Sequence, residues 1–130
     1  MNKFFAFALK QTAKIGANFK HQLKGEDMVG KYKVITLCGS TKFKDDFLKE
    51  QKRLSLEGNI VISVGLFGHS GDSEVLNEGV KEMLDDMHKR KIDMADEIFV
   101  INKNGYIGSS TKSEIEYAIA TGKAVNYMEN

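Results

Sequence analysis

The hydrophobic residues of this chain follow two different spacings after residue 30, and each spacing predicts a different kind of element. Four short runs are almost continuously apolar and rich in β-branched residues, as in strands that are covered on both faces of a sheet. We therefore predict strands at residues 33–38, 59–64, 97–101 and 124–128.

Between these strands, apolar residues recur every three or four positions, which is the spacing of one helical face. The spacing predicts helices at residues 41–57, at about 73–95 and at 111–121. On the second and third helices it predicts a buried stripe that includes Met83, Met87, Met94, Ile115, Ala118 and Ile119.

Strand and helix alternate four times, which predicts a doubly wound α/β fold. Such a fold is a Rossmann- or flavodoxin-like parallel sheet, here of four to five strands, with helices on both faces. Ligands of these sheets bind at the carboxyl ends of the strands, where the strand order reverses. With the first strand central, that crevice lies between the loops after the first and third strands. We therefore expect a ligand site at residues 39–43 and 103–114.

Residues 1–30 lie outside this alternation and form a basic extension, separate from the α/β domain at residues 31–130. Five apolar residues fall near one helical face and predict an additional amphipathic helix: Phe4, Ala8, Ile15, Phe19 and Leu23. Three interpretations remain open. The helix docks on a partner subunit, or it lies on an anionic membrane surface, or Met28 is the natural start and the segment has no function. We favour the first and third over membrane contact.

Chain length and charge indicate how many domains the protein has and which partners are excluded. A chain of 130 residues with 42% hydrophobic and 28% charged residues fits one globular domain. The net charge is +1, but residues 1–25 hold five lysines and no acid, which leaves fourteen basic against eighteen acidic residues elsewhere. An acidic body argues against nucleic-acid binding, because that requires a basic surface.

The cysteine and histidine residues show no sequence pattern of a metal site. Cys38 is the single cysteine, so it makes neither an internal disulfide nor a cysteine-based zinc site by itself. His21, His69 and His88 show no metal-ligand spacing. Lys10 interrupts the early apolar run too soon for a secretory signal, and together these observations predict a cytoplasmic protein.

The turn after the first predicted strand reads Cys38-Gly39-Ser40-Thr41-Lys42-Phe43. Its glycine, its backbone N–H groups at a helix start and its hydroxyl and ammonium groups suit an anion or a sugar hydroxyl. The simpler interpretation is an ordinary strand-to-helix turn in which Ser40 or Thr41 caps the helix. The segment alone favours that interpretation, because its glycine spacing matches neither the P-loop nor the dinucleotide-binding fingerprint.

The loop before the third helix holds more glycine and serine than a turn requires, including Gly105, Gly108, Ser109 and Ser110. Thr111-x-x-Glu114 and Ser113-x-x-Glu116 both fit a capping box, but one helix uses only one, so a glutamate is free for another role. We expect Glu114 in the first helical turn, where the helix dipole favours its ionised form. An ionised carboxylate that faces the crevice can act as a nucleophile.

Other polar residues lie near the crevice or on the second helix. His88 borders the apolar stripe, either as a packing histidine or as an acid–base group. The neighbouring residues 89–91 are most simply a solvated cationic surface, and Asp93 is of a type that more often ends a helix than catalyses. His69 follows the second strand, at the same edge of the sheet as the crevice, so ligand contact is expected there.

Three segments have the sequence pattern of a known superfamily. They are Leu37-Cys-Gly-Ser-Thr-Lys42, Ile92-Asp-Met-Ala-Asp-Glu-Ile-Phe-Val100, and Glu114-Ile-Glu-Tyr-Ala118 followed by Gly122-Lys-Ala-Val125. They resemble the nucleoside 2-deoxyribosyltransferase-like superfamily, which includes the 2′-deoxynucleoside 5′-monophosphate N-hydrolases. The resemblance covers about residues 33–128. It implies that residues 37–42 hold ribose and phosphate, that Glu114 is the nucleophile, and that a neighbouring subunit completes the pocket of a homodimer or larger homo-oligomer.

Two positions depart from the superfamily pattern. Glu116 stands where a glycine is usual. His88 stands where an aspartate, eight residues before the aspartate of the Ala-Asp pair, helps to orient the substrate or to transfer a proton. His88 therefore either substitutes for that aspartate or marks an altered reaction.

The resemblance implies cleavage or transfer at the N-glycosidic bond of a (deoxy)nucleoside or nucleoside 5′-monophosphate, without a cofactor. Glu114 would attack the anomeric carbon, and His88, or Asp93 if it turns inward, would assist proton transfer. Phosphate or ribose would be held by Ser40, Lys42, Ser109 and Ser110, and the base by Phe67 and His69. The full set expected to bind substrate is Cys38, Gly39, Ser40, Thr41, Lys42, Phe43, Phe67, His69, Gly108, Ser109 and Ser110.

Two other classes of function remain open. The same crevice can bind or sense a nucleotide without chemistry, which the histidine at position 88 favours. Alternatively, the chain acts as a partner protein through its N-terminal helix.

Overall fold

The computed structural model describes residues 30–130, and within them four strands alternate with three helices. The strands are β1 (Lys33–Gly39), β2 (Asn59–Ile62), β3 (Glu97–Ile101) and β4 (Ala124–Tyr127). The helices are α1 (Lys44–Leu56), α2 (Val80–Asp93) and α3 (Ser109–Ala120). None of these helices of residues 30–130 is long and apolar enough to cross a lipid bilayer. The predicted N-terminal helix and the alternative start at Met28 lie outside the described residues.

The four strands form one parallel sheet in the order β2-β1-β3-β4. From β1 the chain crosses to β2 on one side, and later to β3 on the other side of β1. The strand order therefore reverses between β1 and β3, where the predicted crevice lies. The doubly wound α/β fold predicted from the alternation is confirmed.

Side chains alternate between the two faces of the sheet and are buried in two apolar clusters. The first cluster, on the α1 side, contains Ile35, Leu37, Phe47, Leu54, Phe99 and Ile101. The second, on the side of α2 and α3, contains Cys38, Ile92, Ile98, Val100, Ile115 and Ala118. The alternation thus places Cys38 on the face that α2 and α3 cover.

The second helix is shorter than its apolar spacing predicts. It begins at Val80 rather than near residue 73, because Gly79 adopts a left-handed conformation (φ +79°) that a helix does not continue through. The residues before it form only a 3₁₀ turn, Ser73–Leu76. The stripe of buried methionines was also wrongly predicted: Met83, Met87 and Met94 are 52%, 40% and 65% exposed. The buried residues of α2 are instead His88 and Ile92.

The third helix begins two residues earlier than predicted, at Ser109. Its N-cap is Gly108, and no side chain caps the helix, so neither predicted capping box forms. Glu114 consequently lies in the second turn rather than the first. Ile115 and Ala118 are buried as predicted, whereas Ile119 is exposed.

Candidate functional site

A cavity of about 560 Å³ opens at the carboxyl edge of the sheet. Its wall comes from the loops after β1, β2 and β3, from one face of α2 and from the first two turns of α3. Both segments expected to hold a ligand contribute to this wall. The volume lies within the range of small-molecule sites, about 300–1,000 Å³.

The end of β1 approaches β3 so closely that a side chain does not fit at Gly39. This residue has φ +153°, and a Cβ atom there would lie 2.7 Å from the carbonyl oxygen of Ile101. Glycine at this position therefore permits the backbones of β1 and β3 to approach closely where the strand order reverses. The turn that follows is held in place at the cavity wall.

Hydrogen bonds connect the loop after β1 with the loop after β2. The Thr41 hydroxyl lies 2.9 Å from Nδ1 of His69 and accepts a bond from the His69 backbone N–H at 3.1 Å. The Ser70 hydroxyl donates to the Thr41 carbonyl at 2.8 Å. Ser40 caps the short 3₁₀ turn by accepting from the backbone N–H of Lys42. The capping role considered for Ser40 is thus present, in a wall of the cavity.

The floor of the cavity brings together three polar side chains from three elements. Sγ of Cys38 lies 3.4 Å from Nε2 of His88, and Nε2 lies 3.9 Å from Oε1 of Glu114. The side chains of His88 and Glu114 are 8% and 12% exposed, and both contribute to the wall. Cys38 is fully buried below them. Glu114 and His88, which the sequence indicated as candidates for the nucleophile and the acid–base group, are therefore neighbours.

Burial raises the pKa of Glu114 to about 7, with a further contribution from the nearby charge of Asp85. A hydrogen bond with the Cys38 thiol and the charges of Lys89 and Lys81 oppose that increase. This increase in the pKa of Glu114 is opposite to the decrease that a helix N-terminus would cause. The reason is geometric, because the helix dipole acts mainly within the first turn and Glu114 lies in the second.

Burial acts on His88 and Cys38 as well. It lowers the pKa of His88 to about 4, the charge of Lys91 adds to the effect, and a backbone hydrogen bond with Leu37 opposes it. Burial and the adjacent Glu114 raise the pKa of the Cys38 thiol well above its usual value. At neutral pH the floor therefore holds a neutral imidazole, a thiol and a carboxyl group near its midpoint.

Seven of the residues predicted to bind substrate line the cavity. They are Gly39, Ser40, Thr41, His69, Gly108, Ser109 and Ser110. Thr41 and His69 are 28 positions apart in the chain, and Gly39 and Ser110 are 71 positions apart. The parallel sheet nevertheless brings their loops to one edge. The topology predicted from the sequence therefore located these seven residues at the same edge of the sheet.

The other predicted residues have different positions. The Lys42 ammonium does not line the cavity and lies 3.6 Å from the centre of the Tyr106 ring. Phe43 packs against the first apolar cluster, and its ring meets Tyr106 edge-on at 5.9 Å. Phe67 packs edge-on against Phe47 at 5.5 Å. Because each of these three side chains packs against an aromatic ring, the structure does not place any of them in contact with a ligand.

Asp93 and Cys38 do not line the cavity. Asp93 accepts a hydrogen bond from the Tyr117 hydroxyl and pairs with Arg90 at 2.9 Å, on the outer surface between α2 and α3. It therefore holds the two helices together and does not turn inward. Cys38 is 0% exposed, so it supports the floor from below and does not reach a substrate directly.

Sequence reasoning missed a polar face of α2. Lys81, Asp85 and Lys91 all line the cavity, and Lys91 donates from Nζ to the carbonyl of Ser63 at 2.9 Å instead of being a solvated cation. Lys81 pairs with Asp85 at 2.7 Å and lies 3.5 Å from the Ser110 hydroxyl. A signal was available, because Lys81, Asp85 and His88 are spaced four and three residues apart, on one helical face.

Comparison of the chain with models of known protein families, with curated proteins and with solved structures finds no match. The chemistry of the site must therefore be argued from its own residues.

Proposed function

We propose that this protein cleaves or transfers the N-glycosidic bond of a nucleoside or nucleoside 5′-monophosphate, with Glu114 as the nucleophile. The observation that carries the proposal is the position of the Glu114 carboxyl group. It lies at the floor of a nucleotide-sized cavity, beside His88, between the loops after β1 and β3. The segment Glu114–Ala118, which resembles the superfamily, forms part of the helix that lines this cavity.

The proposed reaction begins with the ionised form of Glu114. Because its pKa is about 7, about half of the molecules carry the carboxylate at neutral pH. One carboxylate oxygen attacks the anomeric carbon, the bond to the base breaks, and the base leaves with its electron pair and takes up a proton. The glycosyl ester then passes to water or to a second base, as in retaining glycosidases.

Nε2 of His88 lies 3.9 Å from the Glu114 carboxyl group, and both side chains line the cavity. Its imidazole is neutral at pH 7, because its pKa is about 4. A neutral imidazole both donates and accepts a proton, so it can pass one from cavity water to the departing base. In the proposal His88 transfers a proton, and its buried ring limits the positions that the Glu114 side chain can adopt.

A phosphate subsite is proposed at the start of α3. The first backbone N–H groups of this helix have no partner within the helix and lie at Ser109, Ser110 and Thr111, which line the cavity. Lys81 supplies a positive charge 3.5 Å from the Ser110 hydroxyl. In this proposal Lys81 takes the place that sequence reasoning assigned to Lys42.

The test is release of free base from a panel of nucleosides and nucleoside 5′-monophosphates, followed by chromatography in the presence of a chelator. We expect release from at least one compound and a loss of at least a hundredfold for Glu114→Gln, since a neutral amide cannot form the glycosyl ester. Glu116→Gln is the matched control on the same helix, where the side chain is exposed. A wild-type rate in Glu114→Gln would refute the proposed nucleophile.

The second candidate is a nucleotide-binding module without chemistry. It is favoured by the raised pKa of Glu114 and by a neutral histidine at the position of the superfamily aspartate. Calorimetry with the same panel distinguishes the two candidates. Saturable binding of a nucleotide without release of base from any compound supports the binding module and contradicts the enzyme.

A further inference from the structure

Three side chains with metal-binding atoms meet at the cavity floor, although no spacing in the sequence indicates a metal site. Cys38 comes from β1, His88 from α2 and Glu114 from α3. Their sulfur, nitrogen and oxygen atoms all lie within 4.8 Å of one another. No second group of three such side chains meets in this way within residues 30–130.

Two of the three distances among these atoms are close to those around one tetrahedral ion, and the third is within 4.8 Å. Zn²⁺ binds sulfur at about 2.3 Å and nitrogen or oxygen at about 2.0–2.2 Å, so its ligand atoms lie about 3.4–3.6 Å apart. Here the sulfur and the imidazole nitrogen are 3.4 Å apart, and that nitrogen and the carboxylate oxygen are 3.9 Å apart. A movement of a few tenths of an ångström brings the second pair to the ligand distance.

Charge balance favours a divalent cation at this depth. A lone thiolate or carboxylate is costly in a buried site. A Zn²⁺ ion with one thiolate, one carboxylate and one neutral imidazole has no net charge. The cation thus offsets the cost of burying two anions, and the protons that the thiol and the carboxyl group still hold are released to solvent when it binds.

We propose that Cys38, His88 and Glu114 form a binding site for a thiolate-preferring divalent cation, with Zn²⁺ as the best fit. The thiolate favours such an ion over Mg²⁺ or Ca²⁺, which prefer oxygen ligands. Three protein ligands leave a fourth position, and because His88 and Glu114 line the cavity this position faces it. A bound ion occupies the Glu114 carboxylate, so the site goes beyond the proposed reaction and is an alternative state of the same residues.

The experiment is a calorimetric titration of the full chain, freed of metal with a chelator, with ZnCl₂ and separately with MgCl₂. We expect one Zn²⁺ per chain with a dissociation constant at or below the micromolar range, and no saturable binding of Mg²⁺. Cys38→Ser should weaken Zn²⁺ binding at least tenfold, whereas Glu116→Gln, the matched carboxylate control on α3, should leave it unchanged. Equal affinity in the wild type and Cys38→Ser would overturn the proposal.

A second measurement does not depend on a variant that folds. Co²⁺ added to the wild type should give the thiolate-to-cobalt charge-transfer band and the intense visible bands of a tetrahedral site. Only the weak bands of six-coordinate cobalt would indicate surface binding and overturn the proposal. No nucleoside is present in either measurement, and base release is assayed with chelator, so the failure of one proposal leaves the other standing.

Discussion

At the scale of single residues, Glu114 shows how burial outweighs the local preference of the chain. Its place after a glycine- and serine-rich loop predicted an ionised side chain at a helix start. In the fold it lies one turn further along and 12% exposed, and burial raises its pKa to about 7. Its pKa is therefore set by the cavity rather than by the helix.

This environment predicts how stability depends on pH. The pKa of Glu114 is about 7 in the fold against an ordinary 4.5, so its stabilising contribution is complete below pH 4.5 and lost as the pH rises to 7. The pKa of His88 is about 4 against an ordinary 6.5, so its contribution is complete above pH 6.5 and lost as the pH falls to 4. Between pH 4.5 and 6.5 the two changes oppose each other.

We therefore expect the free energy of unfolding of the wild type to stay nearly level over that interval. Glu114→Gln removes one of the two opposing changes, so its stability should rise by about 2 kcal/mol from pH 4.5 to 6.5. Urea denaturation at several pH values, with chelator present, measures both proteins. The same pH profile for the wild type and the variant would contradict this assignment.

At the scale of elements, α2 and the strand ends decide what surrounds the cavity. One face of α2 borders the cavity with Lys81, Asp85 and His88, of which only His88 is buried. The ends of β1 and β3 meet closely at Gly39. Each of these features predicts the result of a substitution.

Replacing Lys81 tests the proposed phosphate subsite. If its ammonium and the start of α3 hold a phosphate, Lys81→Ala should weaken binding of a nucleoside 5′-monophosphate by about tenfold, or about 1.4 kcal/mol. Binding of the unphosphorylated nucleoside should change much less. Lys42→Ala is the matched control, because that ammonium lies on the Tyr106 ring. Equal losses for nucleotide and nucleoside in Lys81→Ala, measured by calorimetry, would exclude this role.

Replacing Gly39 tests the close approach of β1 and β3. A Cβ atom there would lie 2.7 Å from the Ile101 carbonyl oxygen and 2.9 Å from its Cβ, so Gly39→Ala should cost about 2–4 kcal/mol of stability. Gly58→Ala is a suitable comparison, because Gly58 has φ +98° but no atom within 4 Å of such a Cβ. It should cost about 1–2 kcal/mol, from backbone strain alone. Equal losses in thermal or urea unfolding would argue against the steric explanation.

At the scale of the whole molecule, apolar side chains at the cavity predict self-association. Leu76 and Met87 line the cavity and are 84% and 40% exposed, and Met83, one turn before Met87 on α2, is 52% exposed. Exposed apolar patches of this kind mark interaction surfaces. We expect a homodimer or larger assembly, in which a second copy covers these side chains. Light scattering at micromolar concentration measures the mass, and a value of 14.5 kDa would contradict the expectation.

The sequence by itself determined the fold class and the location of the cavity. Strand and helix differ in the spacing of their apolar residues, and this spacing is a local property that can be read without the fold. The alternation of these elements then restricts the topology, and the topology brings the loops after β1 and β3 to one edge. For this reason Ser40, His69 and Ser110 were placed correctly at the cavity.

Only the tertiary structure decided which face of each element turns toward that cavity. The spacing of α2 does not show whether Met83 and Met87 or His88 and Ile92 are buried, and packing against distant segments makes the choice. Likewise, the pairing of Asp93 with Tyr117 and the meeting of Cys38, His88 and Glu114 join residues far apart in the chain. Such contacts, and the burial that sets the pKa values, arise from non-local packing, which no local spacing encodes.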